Sequence, residues 1–361
     1  MSETPNANSA YPPSYYAASR NIIRQPQVLE GAVEADICVV GAGYSGLSAA
    51  ISLAEQGFKV VMVEAAEVGW GASGRNGGQV VNGLNASLDT IQRRYGQQTA
   101  NFVGGLLQEG AGIIYDRVER YGINCDLKRG NIYAAYTPKH MEELKAKQAL
   151  WRSHGMDDHE LLDKSQIRQH IGSDVYEGGM IDHSGAHMHP LNLALGEAAA
   201  FEGLGGKIFE RSPVTKVDQD ASGATVSTEK GQVRAKTALI CGNAYLGNVV
   251  PELTARVMPV STQMMATEPL GEDRANALLP TGMCVEDVRY ILGYFLLSAD
   301  HRLIFGGGVV YGGTDPADVE AKLRPNMDKV FPQLKQVKVD YAWSGNFALS
   351  FSRVPQLGRL G

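Results

Sequence analysis

Residues 37–64 read ICVVGAGYSGLSAAISLAEQGFKVVMVE, and the succession of periodicities inside them decides the fold. Ile37, Cys38, Val39 and Val40 form an unbroken apolar run ending at Gly41, the pattern of a strand buried on both faces. Leu47, Ala50, Ile51 and Ala54 then recur at helical spacing, and Gly57 is placed to end that helix in a left-handed turn. Phe58 to Glu64 returns to a strand pattern. Strand, helix and strand in about thirty residues make a βαβ unit. Gly41-x-Gly43-x-x-Gly46 lies between the first strand and the helix: Gly41 for the tight turn, Gly43 for approach of a pyrophosphate, Gly46 for close helix–strand packing. Helix-terminal N–H groups would face the phosphates. Glu64 stands 18 residues beyond Gly46, where a carboxylate accepts from ribose hydroxyls.

NAD and FAD both use such a unit, and the next segment separates them. Gly69-Trp70-Gly71-Ala72-Ser73-Gly74-Arg75-Asn76-Gly77-Gly78-Gln79 holds five glycines in its first ten residues. It leaves the carboxyl end of a sheet strand, where ligands of open α/β sheets bind. Backbone of this kind can lie beneath a flavin ring and offer it N–H donors. FAD is the expected cofactor, and a nicotinamide-dependent dehydrogenase is disfavoured.

Further out, 191–204 reads as a helix, 207–209 as a strand, 214–217 and 224–227 as paired strands, and 238–241 as a buried strand ending at Gly242. At 361 residues the chain exceeds what one core usually serves, so two domains are expected. The fold class is α/β: a Rossmann-like FAD-binding domain of 35–92, 180–250 and 345–361, interrupted by a mixed α+β substrate domain of 93–179 and 251–344. Residues 1–34 are polar and read as an arm rather than a core element. Glycine is abundant, 42 residues against a typical share of roughly 7%. A net charge of −6 offers no basic footprint for nucleic acid. No apolar run approaches the ~18 residues of a membrane span, and no signal-peptide core precedes Arg20. The expectation is a cytoplasmic protein. Cys38, Cys125, Cys241 and Cys284 form no CxxC pair and read as free thiols, with Cys38 and Cys241 inside buried strands.

GAGYSGLSAA and VEAAEVGWGASGRNGGQ together resemble the D-amino-acid oxidase and glycine oxidase superfamily of FAD enzymes. SYYAAS (14–19), IDHSGAHMHPLNLALGEA (181–198), GQVRAKTALICGNAYLG (231–247) and FGGGVVYGGTDPADVE (305–320) extend the resemblance over nearly the whole chain. It is nearest the branch acting on gamma-glutamylputrescine. The resemblance implies FAD-dependent oxidation of a primary amine by hydride transfer to flavin N5. Molecular oxygen would be the acceptor, and ammonia and hydrogen peroxide would be released. It also implies site residues. Gly41, Gly43, Tyr44, Ser45, Gly46, Glu64 and Ala65 would hold the ADP half; Gly71, Ala72, Ser73, Arg75, Asn76, Gly77, Gly78 and Gln79 would border the flavin; Val214 would meet the adenine and Gly242 the pyrophosphate. Members continue past the position of Gly361 with a further glycine-rich loop and helix, so the C-terminal part of the FAD domain is expected to be missing here. Another amine or amino-acid oxidase or dehydrogenase of the superfamily, or a flavin binder without catalysis, are the alternatives.

The mechanism implied requires a neutral amine, because an ammonium has no lone pair to drive hydride loss. Holding an amine of pKa near 10.4 neutral at pH 7 costs about 4–5 kcal/mol, which a desolvated pocket offsets. No His/Asp or His/Glu pair stands out as a dedicated base. His187, Tyr294 and Trp343 are the catalytic candidates; Tyr290 joins Tyr294 and Trp343 as a possible pocket wall. Aromatics on strand patterns are more often core. Arg75 fits a substrate carboxylate, a phosphate or a structural role. His183, His187 and His189 cluster in DHSGAHMHP but lack accompanying Cys or a second His pair, so no metal site is expected.

Overall fold

The protein is described by a computed structural model over residues 5–360. Fifteen strands run in chain order as β1 (Gly31–Val40), β2 (Val60–Val63), β3 (Gln79–Val80), β4 (Lys128–Ala135), β5 (His159–Leu162), β6 (Gly178–His187), β7 (Lys207–Phe209), β8 (Val214–Asp220), β9 (Gly223–Thr228), β10 (Gly231–Ile240), β11 (Val257–Thr267), β12 (Cys284–Asp287), β13 (Gly293–Leu297), β14 (Leu303–Tyr311) and β15 (Val339–Ser350). The helices are α1 (Tyr15–Ala18), α2 (Tyr44–Glu55), α3 (Leu88–Tyr95), α4 (Gln97–Arg120), α5 (Pro138–Arg152), α6 (Lys164–Ile167), α7 (Pro190–Gly203), α8 (Pro251–Thr254), α9 (Glu272–Leu278) and α10 (Val319–Val330).

The apolar run of β1 lies at the centre of a six-stranded sheet ordered β7-β2-β1-β10-β9-β8. It pairs in parallel with β2 on one side and β10 on the other, and Cys38 and Val39 are fully buried. Both faces being covered explains why β1 shows no alternation. β9 and β8 complete the sheet as an antiparallel extension. On one face α2 packs against α7, whose all-round apolar sequence follows from burial along almost its whole length.

The second sheet runs β15-β11-β14-β13-β12-β4-β6-β3, with β5 beside β6. One face carries Phe295 and Phe305 against Leu323 and Met327 of α10. The opposite face carries Met264, Ile304 and Trp343, and it closes on Leu191 and Leu195 of α7 and Leu47 of α2. The two sheets therefore share one apolar seam, with α2 and α7 inside it.

Two expectations change. The expected arm of 1–34 is, over its described residues 5–34, not peripheral: Tyr15 and Tyr16 of α1 sit in the shared core, Leu29 is fully buried, and β1 begins at Gly31. Its polar composition concealed two aromatic anchors, and Ser14 caps α1 by accepting from Ala17 N–H. The sheets also divide the chain differently from the expected boundaries. β6 and β15 belong to the second sheet throughout, as does β3. Only long-range strand pairing decides such membership.

Candidate functional site

The turn between β1 and α2 opens a cleft at the carboxyl ends of β1, β2 and β10. Its walls include Gly41, Gly43, Tyr44, Ser45, Glu64, Ala65, Gly71, Ala72, Ser73, Val214 and Gly242, and it encloses about 880 Å³ including its open mouth. Eleven residues singled out from sequence thus converge on one space, although they come from five separate segments.

The local geometry explains the glycine spacing. Gly41 adopts φ +107°, and a Cβ there would stand 2.8 Å from the Cys241 carbonyl oxygen. A Cβ on Gly46 would stand 2.0 Å from the Gly41 carbonyl oxygen, so the helix approaches the turn only because Gly46 lacks one. Gly46 itself acts from beneath and does not line the cleft. At the start of α2, N-cap Gly43 brings no side chain to the helix N–H groups, which leaves that positive end accessible to an anion. Tyr44 N–H donates to Ser73 Oγ at 3.0 Å, tying the turn to the glycine-rich loop. The Tyr44 hydroxyl points away and donates to the Pro190 carbonyl.

Glu64 accepts from Ala42 N–H at 2.7 Å through Oε2 and from Ala66 N–H at 3.0 Å through Oε1. Burial pushes its carboxyl up, opposed by those two N–H donors. Each oxygen retains an acceptor lone pair for a hydroxyl in the cleft. Trp70, Pro213, Cys241, Asn243 and Tyr245 also line it and were not read from sequence. Cys241 lies just past the end of β10 and is half-buried on the cleft wall rather than inside the strand.

The loop 69–79 crosses from this cleft to the second sheet. Asn76 pins it: Nδ2 donates to the Ser73 carbonyl at 2.8 Å and Oδ1 accepts from Gly78 N–H at 2.8 Å. Arg75 lies with its guanidinium carbon 4.2 Å from the centre of the Trp70 ring, and its Nε donates to the Trp70 carbonyl. Its Nη2 is buried with no hydrogen-bond partner among the described residues, and burial pulls the guanidinium pKa down. A buried cationic donor beside the cleft, lacking a hydrogen-bond partner at Nη2 among the described residues, suits an anionic or carbonyl acceptor.

Beyond Arg75 the loop meets the sheet face. A Cβ on Gly77 would stand 2.7 Å from the Tyr294 ring, so only glycine lets the loop lie on that ring. Gln79 donates to Asn131 Oδ1 at 3.1 Å. Tyr294 heads a row of directly paired residues, Glu286 on β12 and Tyr133 on β4, which share this face. Asn131 Nδ2 and the Tyr133 hydroxyl are buried without partners among the described residues. Glu286 is half-buried and, among the described residues, feels through-space charges rather than hydrogen bonds; burial pushes its pKa up to about 7, opposed by Lys147. Glu286 escaped the sequence reading because a lone acid in VED carries no spacing signal.

The remaining candidates have defined places. Trp343 is buried and donates from Nε1 to the Arg75 carbonyl at 3.0 Å, supporting the loop from below. Burial raises the Tyr294 hydroxyl to about 12. His187 is buried with Nε2 2.9 Å from the Gly282 carbonyl, and burial lowers its pKa to about 4, so it is neutral. His189 caps α7: Nδ1 accepts from Asn192 N–H, so the proton sits on Nε2, 3.0 Å from Ser19 Oγ. His183 faces solvent beside Glu160. Tyr290 is 87% exposed between β12 and β13 and walls nothing. Among the described residues no group of three His, Cys, Asp or Glu is placed to hold a metal, and no helix is long and apolar enough to cross a membrane.

A family model described as "FAD dependent oxidoreductase" matches residues 36–361. Gamma-glutamylputrescine oxidoreductase of Escherichia coli (strain K12) is 50% identical over 348 residues, spanning 96% of this chain and 82% of that protein. A probable oxidoreductase OrdL of Haemophilus influenzae is 39% identical, spanning 96% of this chain and 81% of its own. The crystal structure of glycine oxidase from Geobacillus kaustophilus superposes with a TM-score of 0.74 at 21% identity, over 91% of this chain and 86% of that one; this shows a common fold.

Proposed function

This chain belongs to the FAD-dependent oxidoreductase family, and on that premise we propose that it oxidises the primary amine of gamma-glutamylputrescine to the aldehyde, releasing ammonia and passing electrons to oxygen as hydrogen peroxide. The observation that carries the reading is the 50% identity to the Escherichia coli gamma-glutamylputrescine oxidoreductase across 96% of the chain.

FAD is the cofactor of the family, and the residues present suit it. Gly41, Gly43 and the N–H groups opening α2 would take the pyrophosphate, with Gly242 opposite. Glu64 would accept from the ribose and Val214 would meet the adenine through its backbone. Ser73, Arg75, Asn76, Gly77, Gly78 and Gln79 would border the flavin, held flat by Asn76 and propped by Trp343. When bound, the flavin supplies the acceptor for the hydride lost from the carbon next to the amine.

The protein's own contribution is placement and desolvation. The sheet face beside Gly77 carries Tyr294 and Tyr133, whose rings exclude water. Exclusion of water disfavours the substrate's ammonium and thereby releases the lone pair the reaction needs. His187, neutral and bonded to Gly282, is not available to exchange protons near pH 7.

The test is a panel of amines, with gamma-glutamylputrescine, putrescine, glycine and sarcosine, offered to the purified yellow protein while peroxide is followed. Peroxide with gamma-glutamylputrescine at a kcat/KM at least tenfold above the others is expected. No turnover of any amine, or a preference for glycine or sarcosine, overturns the reading.

A further inference from the structure

We propose that Glu286 is the residue that receives the substrate's ammonium group and takes its proton. The inference rests on the amine-oxidation reading and deepens it.

Three observations place Glu286. It pairs directly with Tyr294 across β12 and β13, and Tyr294 is the ring on which Gly77 of the glycine-rich loop rests. One strand spacing of about 4.8 Å therefore separates the carboxylate's strand from the residue touching the loop. Second, among the described residues no hydrogen bond engages it: only through-space charges act on the carboxylate. Neither of its oxygens is sealed off in the protein, so the carboxylate stays open to a donor carried by a ligand. Third, the Tyr133 hydroxyl and Asn131 Nδ2 lie close to one another on the same face, and neither makes a well-formed hydrogen bond among the described residues. Together they form a polar patch in an otherwise apolar seam, and an alkyl ammonium brings the donors that the carboxylate lacks.

The charges facing Glu286 come from several elements. Lys147 on α5 is the cation, its Nζ 3.8 Å from the centre of the Tyr133 ring; Asp287 lies on the same strand and Asp182 on β6; Tyr133, Tyr294 and the Cys284 thiol complete the set. Burial and the two aspartates resist ionisation of Glu286, and Lys147 opposes them, which places its titration in the neutral range. The step is a simple transfer. An N–H bond of the ammonium breaks, an O–H bond forms on Glu286, and the electron pair stays on nitrogen, leaving the neutral amine.

The holoenzyme and its E286Q and K147M variants test this, with Tm and flavin absorbance confirming that each is folded and loaded. Wild-type kcat/KM for gamma-glutamylputrescine is expected to rise through an inflection near pH 7 and then level. In E286Q it falls at least 100-fold at pH 8, the scale of a lost general base, and climbs only toward the amine's own pKa near 10.4. In K147M the inflection moves to higher pH, which a merely structural role would not produce. A separate binding measurement uses tert-butylammonium, which has no hydrogen on the carbon bearing nitrogen and cannot be oxidised; its Kd by calorimetry rises at least tenfold in E286Q. A wild type with no inflection between pH 6 and 8 overturns the proposal, as does an E286Q that stays within threefold of wild type in kcat/KM and Kd. A wild type that turns over no amine yet binds tert-butylammonium through Glu286 instead refutes the oxidation reading and leaves the carboxylate's role standing.

Discussion

Replacing Gly46 by alanine puts a methyl group where the structure has a carbonyl oxygen. The added Cβ would stand 2.0 Å from Gly41 O and 3.2 Å from Val39 Cγ1. Carbon–oxygen contacts settle near ~3.3 Å, so helix and turn must separate by roughly 1 Å. Neither side gives easily: Gly41 holds φ +107° against the Cys241 carbonyl, and α2 is backed by α7. Overpacking of this kind costs about 1–3 kcal/mol. Because the displaced atoms are the N–H groups of the α2 start, much of that cost should appear in FAD binding, as a Kd roughly 5- to 140-fold weaker. The assay is fluorescence titration of the apoprotein with FAD, alongside a melting curve without it. A G46A protein that binds FAD within about threefold of wild type and melts at the same temperature would refute the argument.

Other substitutions probe the same frame. Glu64→Gln exchanges one accepting oxygen for a donor facing an N–H, and should weaken FAD by about 1.5–3 kcal/mol in the same titration; an unchanged Kd would remove Glu64 from the site. His189→Ala removes the cap on α7 and should lower Tm by on the order of 1–2 °C, whereas His189→Asn, another capping residue, should recover most of it. Glu197, held at about 7 by burial against the opposing Arg117, has a folded pKa above its unfolded one. Its stabilising contribution is thus complete below pH ~4.5 and lost as pH rises through ~7. The Tm of the wild type relative to that of E197Q should therefore fall from pH 5 to pH 8, and a relative Tm that rises over that range would reverse the sign of the argument.

The cleft at the β1–α2 turn was legible in the sequence because its constraints are short-range. Gly41, Gly43 and Gly46 act on one another within a single turn, and the apolar run at 37–40 states its own burial. The same logic recovered β7, the β8–β9 hairpin and α7. It failed for Tyr15 and Tyr16, where two aromatics in a polar stretch gave no period to read. It failed also for the division of the sheets at β6 and β15, since a strand's pattern records how its faces are covered but not which neighbours it has.

From the sequence alone came the βαβ unit, the glycine triplet, the acid closing the second strand and the glycine-rich loop beyond it, all determined by steric rules acting across a few residues. Only tertiary structure laid Gly77 on Tyr294, set Arg75 between Trp70 and Gly345, and paired Glu286 with the tyrosine on which a loop some two hundred positions earlier in the chain rests. Pairing order among strands fixes those meetings, and that order depends on the closing of one shared apolar seam rather than on any local preference.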